Sequence, residues 1–222
     1  MTAGIVAIDG PSGSGKSTVA RGVAADLGFD VLDTGAMYRA VTLAVLEAGI
    51  DPTDGDACSA AARRADVDQR GPVTLLDGRD VSAGIRSGAV TDTVSTVSAH
   101  PAVRAVLVER QRRWAAAHGH GVVEGRDIGT VVFPDAVLKA FLFASDAERA
   151  RRRRAETESD DRASLDEVQA DLDRRDHLDS TRSVSPLQAA PDALRIDTTE
   201  RTPDQVVDEL VAAFRERTRA SR

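Results

Sequence analysis

The residues that could do chemistry come early. Gly10, Pro11, Ser12, Gly13, Ser14, Gly15, Lys16 and Ser17, followed by Thr18, fit G-x-x-x-x-G-K-[ST], the pattern of a loop that wraps phosphates. Glycines let the backbone turn its N–H groups toward an anion. A helix opening after the loop adds the positive end of its dipole. Lys16 can then reach the β- and γ-phosphates, and the Ser17 hydroxyl can bind Mg²⁺. The lysine is itself informative: the chain has two, Lys16 and Lys139, against twenty-seven arginines. Where arginine is the default cation, a lysine inside a glycine loop signals a need for a compact ammonium. The pattern specifies a nucleoside triphosphate and leaves the acceptor open.

An acceptor that is itself a phosphate monoester needs further cations, because two like-charged phosphates must be held in line. The candidates are Arg39, Arg104, Arg126, Arg175 and Arg182. A lone arginine in so arginine-rich a chain reads as a solvated surface residue. Arg126 differs, since it follows an apolar run at the place where open α/β sheets bind ligands. A GTPase would need Asn-Lys-x-Asp to read guanine, and the sequence has no asparagine. A motor-type ATPase would need an acidic strand end; "GVVEGRD" could supply Glu124 or Asp127, but the small size and the extra arginines weigh against that class. His100, His118, His120 and His177 have no partner at nucleophile or metal spacing. Tyr38 and Trp114 read as packing residues and Cys58 as a small buried one.

These side chains need elements to hold them. Ile5 to Ile8 is an apolar run bounded by glycine, which reads as a buried parallel strand. Val19, Val23 and Leu27 then recur at helical spacing, with Gly28 as the stop. A second strand is expected over Phe29–Leu32, and a second helix follows with Met37, Val41, Leu43, Val45 and Leu46. Strand–helix alternation with short connections predicts a parallel sheet covered by helices. Five strands fit it, at roughly 5–9, 29–32, 121–125, 137–143 and 194–197. Between Val67 and Ile85 the pattern breaks into short runs separated by Gly71-Pro72 and Asp77-Gly78, a hairpin signal, so a small antiparallel meander is inserted. Helices are expected at about Ser87–Ala99, at Pro101–His118, from near Asp146, from Ser164 (a capping box with Glu167) to about His177, and from Pro203 onward. "ETESDDRAS", residues 156–164, reads as a flexible polar stretch.

The formal net charge of −7 argues against a general nucleic-acid binder. With one cysteine, no internal disulfide is possible. No apolar run reaches the roughly 20 residues of a membrane span, and no signal peptide is evident. A cytoplasmic protein without a membrane or nucleic-acid partner is expected.

The segments "IDGPSGSGKST", "LDTGAMYRA", "DGRDVSAGIR", "EGRDIGTVVFPDA" and "RRDHLDSTRSVSPL" together resemble the bacterial cytidylate kinases, the CMP/dCMP kinases of the nucleoside-monophosphate kinase family. The likeness runs from about Ile5 to Thr198. It implies a P-loop NTPase fold forming one kinase domain over 1–222. Its core would be about 1–50, 100–148 and 163–222, with a monophosphate-binding insertion at about 51–99 and a helical lid at about 149–162. The implied reaction is in-line phosphoryl transfer from ATP, with Mg²⁺, to CMP or dCMP by a monomer. Arg149 and Arg153 of the lid would join the P-loop at ATP. Ser95, Arg104 and Asp127 match cytosine-reading positions, Arg175 and Asp179 match positions at the sugar, and Arg39, Arg126 and Arg182 match positions at the acceptor phosphate. Thr34 stands where the family often has serine, and Asp33 beside it would hold Mg²⁺-bound water. His177 and Leu178 stand where some members carry charged residues, so no extra ion pair near the sugar is implied. The alternative from the P-loop alone is another small-molecule kinase, of shikimate or gluconate type.

Overall fold

The computed structural model describes residues 4–156 and 164–220. In chain order the elements are β1 (Gly4–Asp9), α1 (Lys16–Leu27), β2 (Val31–Asp33), α2 (Thr34–Glu47), α3 (Gly55–Arg64), β3 (Val67–Arg70), β4 (Val73–Leu76), β5 (Arg79–Asp80), α4 (Gly88–Ala99) and α5 (Pro101–His118). The chain continues through β6 (His120–Gly125), β7 (Leu138–Phe143), α6 (Asp146–Glu156), α7 (Leu165–Thr181), β8 (Leu194–Asp197) and α8 (Pro203–Ala220). A five-stranded sheet has the order β2-β6-β1-β7-β8, and a three-stranded sheet has the order β3-β4-β5. The backbone divides into two compact units, Met1–Val31 with His118–Arg222, and Leu32–Ala117.

In the first unit, β1 pairs in parallel with both β6 and β7, and β7 with β8. Buried on both faces, β1 carries an unbroken apolar run, as a central parallel strand must. Val6, Ile8, Val23, Val122, Leu138, Leu142, Ile196, Leu210 and Phe214 form the core. The expected apolar stripe of α8, from Val206 to Phe214, is buried throughout. Gly22 lets α1 approach α8 closely, since a Cβ there would lie 2.6 Å from Val207 Cγ2. The expected strand at 29–32 lies two residues later. Phe29 instead completes the end of α1, donating its N–H to the Ala24 carbonyl (2.9 Å) and packing edge-on against Phe214 at 5.5 Å.

Two local features of this unit position chemistry. After β6 the backbone makes a single π-helical turn, Ile128–Val132, whose first N–H groups, from Ile128 and Gly129, donate to the Asp9 carboxylate at 2.8 and 2.7 Å. The Ser164–Glu167 capping box forms as expected, but α7 runs on to Thr181 rather than ending near His177. That extra turn puts Arg175, Asp179 and Arg182 at helical spacing along one face. Of the lid expected at 149–162, residues 157–162 lie outside the described residues.

In the second unit the expected meander is present. β3, β4 and β5 pair antiparallel, and the β4–β5 turn has positive φ at both Asp77 (52°) and Gly78 (78°), as a tight hairpin of this hand requires. Leu76, Val81 and Ile85 pack against Ala36 and Ala40 of α2. Helix α3 has no counterpart in the sequence reading. Its buried residues, Cys58, Ser59, Ala61 and Ala62, are small, so they leave almost no apolar periodicity to detect. Asp54 caps it by accepting from Ala57 N at 2.9 Å. Among the described residues no helix is long and apolar enough to cross a membrane.

Candidate active site

The P-loop links β1 to α1. Gly10, Gly13 and Gly15 all have positive φ, and for two of them space is as strict as conformation. A Cβ on Gly10 would lie 2.1 Å from the Leu142 carbonyl oxygen, and one on Gly13 would lie 2.8 Å from the Arg149 carbonyl oxygen. Gly15, at the N-terminus of α1, provides no side-chain cap, which leaves the first N–H groups of the helix to an anion. Ser14 is fully buried and donates from Oγ to Pro11 O (3.0 Å). Ser17 is half-buried and Thr18 exposed. Lys16 Nζ folds back onto Pro11 O at 2.6 Å. Burial, then the charge of Arg126, pushes the Lys16 ammonium down to about 7, against opposing pulls from Glu124, Asp176 and Asp9. Burial likewise pushes Asp9 up to about 6, although the Gly129 and Ile128 N–H bonds favour its charged form.

A clamp braces the loop from α6 and α7. Asp176 accepts from Ser12 N (3.4 Å) and from Arg149, and Arg149 Nη1 also donates to Ser12 O (3.1 Å). Arg149 pairs with Asp146 as well, at 2.7 Å. The resemblance assigned Arg149 to ATP; in the structure its guanidinium is committed to the P-loop backbone and to carboxylates. Arg152, one of the run Arg151 to Arg154 expected as lid cations, donates to Thr198 O (2.6 Å) and Glu148 (2.7 Å) and lies 3.6 Å from the position of a Cβ on Gly15. Thr198 Oγ1 in turn donates to Ser14 O (3.1 Å). Arg153 lies within electrostatic reach of Arg175. Asp176 and Thr198 are thus loop-bracing residues that sequence reasoning missed. Asp176 stands inside a quoted motif, one helical turn before Asp179, and that spacing was its only signal.

A second constellation of the same unit gathers Arg126, Asp127, Arg175, Asp179 and Arg182. Asp179 is the hinge of its charges: Arg126 Nε donates to Oδ2 at 3.0 Å, and Arg182 Nη1 lies 3.5 Å from Oδ1. Arg182 also approaches Asp127 Oδ1 at 3.9 Å and donates to Ser185 O. Arg175 is 7% exposed, and its buried Nε and Nη1 make no hydrogen bond. Burial and the neighbouring charges of Arg126 and Arg153 lower its pKa. A desolvated guanidinium with unused donors is a cation prepared for an anionic or hydroxyl-bearing ligand.

The remaining expected residues lie in the second unit. Arg39 donates from Nη1 to Thr91 Oγ1 (3.0 Å) and Ile85 O (3.2 Å). Arg104 is buried, donates to Ser98 O (3.3 Å) and stacks 5.2 Å from the Tyr38 ring centroid. Ser98 Oγ donates to Ser95 O (3.2 Å), so Ser95 and Arg104 belong to one bonded chain. Thr34 is buried at the start of α2, which Asp33 caps by accepting from Ala36 N (2.9 Å).

The cytidylate kinase family model matches residues 6–216. The chain belongs to the cytidylate kinase family. It is 54% identical to the cytidylate kinase of Mycobacterium avium over 98% of both chains, and 51% identical to that of Mycobacterium leprae over 99% of both. Among solved structures it is similar in fold to a gluconokinase from Sinorhizobium meliloti, with TM-score 0.50 and 16% identity over 97% of this chain and 93% of that one. In this member of the cytidylate kinase family, Lys139, the second lysine, is structural: it donates to Asp192 at 2.9 Å.

Two outcomes follow. In Asp179→Asn, Arg126 and Arg182 lose their shared counter-charge, and stability in phosphate-free buffer falls by on the order of 3 kcal/mol. Added phosphate recovers part of the loss, which urea denaturation with and without the anion would show. Because Lys16 titrates near 7 without nucleotide, and phosphates favour its charged form, triphosphate binding at pH 8 takes up a proton. Calorimetry in buffers of different ionisation enthalpy would detect it. The uptake shrinks toward pH 6, where Lys16 is already charged, and disappears in Lys16→Met.

Proposed function

We infer that this chain is a phosphotransferase that moves the γ-phosphoryl group of ATP directly onto CMP or dCMP, releasing ADP and CDP or dCDP. The observation that carries the reading is electrostatic. Arg126, a member of the second cationic constellation, lies close enough to the P-loop to depress the pKa of Lys16. Two anion-binding groups of one unit therefore feel each other's charge, which is the requirement for phosphoryl transfer between two phosphates. The acceptor phosphate is already anionic, so no strong general base is needed.

In this scheme Lys16 and the loop N–H groups hold the β- and γ-phosphates of ATP, while Arg39, Arg126 and Arg182 orient the acceptor phosphate. Arg175 and Asp179 serve the sugar. Ser95, Arg104 and Asp127 read the base: a carboxylate accepts from the N4 amine of cytosine, and a guanidinium donates to N3 and O2. Asp127 and Arg104 are both buried. Uracil, with a carbonyl at C4 and a proton at N3, would leave each unpaired at about 1–3 kcal/mol per group. Arg153 and the neighbouring α6 arginines serve the ATP phosphates, and Arg149 acts one step back by fixing Ser12.

The donor set at the loop suits Mg²⁺, a hard cation that takes few protein ligands and keeps phosphate oxygens and water. The Ser17 hydroxyl, half-buried beside Lys16, would hold it. Asp33 would act through the carboxylate oxygen that does not cap α2. Held by those residues, the ion would supply neutralisation of the charge that develops on the phosphates.

Coupled ADP release measured across CMP, dCMP, UMP, AMP and shikimate tests the reading. Turnover is expected with CMP and dCMP, and the absence of both would end it. Asp127→Ala should narrow the CMP-over-UMP preference by about tenfold, in line with one lost polar contact of 1–3 kcal/mol. A variant that keeps the full preference would remove Asp127 from base recognition.

A further inference from the structure

The Leu32–Ala117 unit holds a cavity of about 490 Å³ that the proposed reaction does not use. Its volume lies within the roughly 300–1,000 Å³ typical of small-molecule sites. The last turn of α3, strand β3 and the middle of α5 wall it, and they contribute Arg63, Arg64, Arg110, Arg113 and Trp114. Two carboxylates, Asp66 and Asp68, share the wall, and Asp68 is already paired with Arg70 at 2.9 Å. Glu109, paired with Arg113 at 3.3 Å, and Asp77 lie near the same guanidiniums.

Arg110 is the most constrained of the four guanidiniums. Its Nη2 donates to the Arg63 carbonyl at 3.1 Å, one of the last carbonyls of α3, where the helix dipole favours a cation. Its Nη1 is buried and makes no hydrogen bond. Burial and the charge of Arg113 lower the pKa of Arg110, against opposing pulls from Asp66, Glu109 and Asp77. Arg63 is fixed by donating to Ser59 Oγ at 2.7 Å. A buried guanidinium donor without a hydrogen bond suits an anion, and guanidiniums suit phosphate in bidentate geometry. The indole of Trp114 on the same wall offers a face for an aromatic base, and the Asp66 carboxylate offers an acceptor for hydroxyls.

We propose that this cavity is an effector site for a nucleoside polyphosphate, with phosphates on Arg64, Arg110 and Arg113 and the base against Trp114. A route out of the cavity exists through Gln69, which lines it. The Gln69 amide closes two bonds on the Asp33 backbone: Nε2 donates to Asp33 O at 2.6 Å, and Asp33 N donates to Oε1 at 3.0 Å. Asp33 caps α2, the helix that carries Arg39. A ligand that shifts Gln69 therefore acts on the first turn of α2. That this alters acceptor affinity rests on the proposed role of Arg39.

Trp114 is the chain's single tryptophan, so intrinsic fluorescence reports on this cavity directly. ATP, CTP and inorganic tripolyphosphate are titrated into Lys16→Ala, in which the P-loop is disabled, and into the same background with Arg64→Ala or Arg113→Ala. Arg64 and Arg113 are exposed, and circular dichroism checks that each variant folds. A saturable change in Trp114 emission with a nucleotide is expected, weakened at least tenfold by either arginine substitution. Tripolyphosphate should compete with it without the emission change. No saturable change in Lys16→Ala, or one that both substitutions leave within twofold, overturns the site. With Lys16 intact, CTP should shift the KM for CMP at least threefold, beyond any shift that persists in Arg113→Ala. An identical shift in both overturns the coupling to α2. Should the chain phosphorylate no monophosphate at all, the proposed function falls, while the fluorescence arm still decides the cavity.

Discussion

Like charges gathered out of water set the terms for the rest of this structure. Lys16, Arg126, Arg175 and Arg182 belong to one compact unit, and all but the partly covered Arg126 are buried or nearly so. Such a group would drive the unit apart if left alone, since each cation loses hydration and repels its neighbours. Carboxylates placed among them prevent that: Asp179 between Arg126 and Arg182, Asp127 near Arg182, and Asp9, Glu124 and Asp176 in reach of Lys16. The compensation is incomplete by design of the geometry. Arg175 keeps two buried donors without a hydrogen bond, and the Lys16 ammonium donates to the Pro11 carbonyl.

The scaffold's work is to keep those charges from relaxing toward one another. Asp9 ends β1 and receives two N–H groups from the π-helical turn after β6, so the strand that launches the P-loop also fixes the segment that follows Arg126 and Asp127. Arg149 and Asp176 tie the Ser12 backbone to α6 and α7. The same helix, α7, carries Arg175 and Asp179 one turn apart and ends just before Arg182. The Ser12 backbone, Arg126 and Arg182 are thus held by polar partners from other elements, which is the physical content of preorganisation.

Legibility in the sequence followed the range of the interaction concerned. The P-loop, the central strands, the Asp77-Gly78 hairpin and the apolar stripe of α8 could be read directly, because each rests on neighbours a few residues apart. The turn at Ile128–Val132 could not. "IGTVV" has no local helical signature, and its geometry comes from a carboxylate 119 residues earlier in the chain. The Arg149–Asp176 bond could not be read for the same reason, since the two residues lie on different helices. Helix α3 escaped because alanine, serine and cysteine bury without a strong apolar pattern. Phe29 looked like a strand residue because an aromatic beside Val31 has strand propensity, yet its contact with Phe214 and its bond to Ala24 place it at a helix end.

The choice of lysine in a chain of arginines then has a physical account. An arginine at position 16 would stay charged at every accessible pH. Beside Arg126, and without hydration, it would add a permanent repulsion to a cluster that is already short of anions. A lysine whose ammonium burial and Arg126 push down to about 7 holds its charge less firmly than an arginine would, and its Nζ donates to Pro11 O. When a triphosphate brings negative charge, the ammonium form becomes the favoured one. The cation is then present when there is an anion to meet it, and the burial that makes the contact strong does not have to be sustained against a full charge in the interval between ligands.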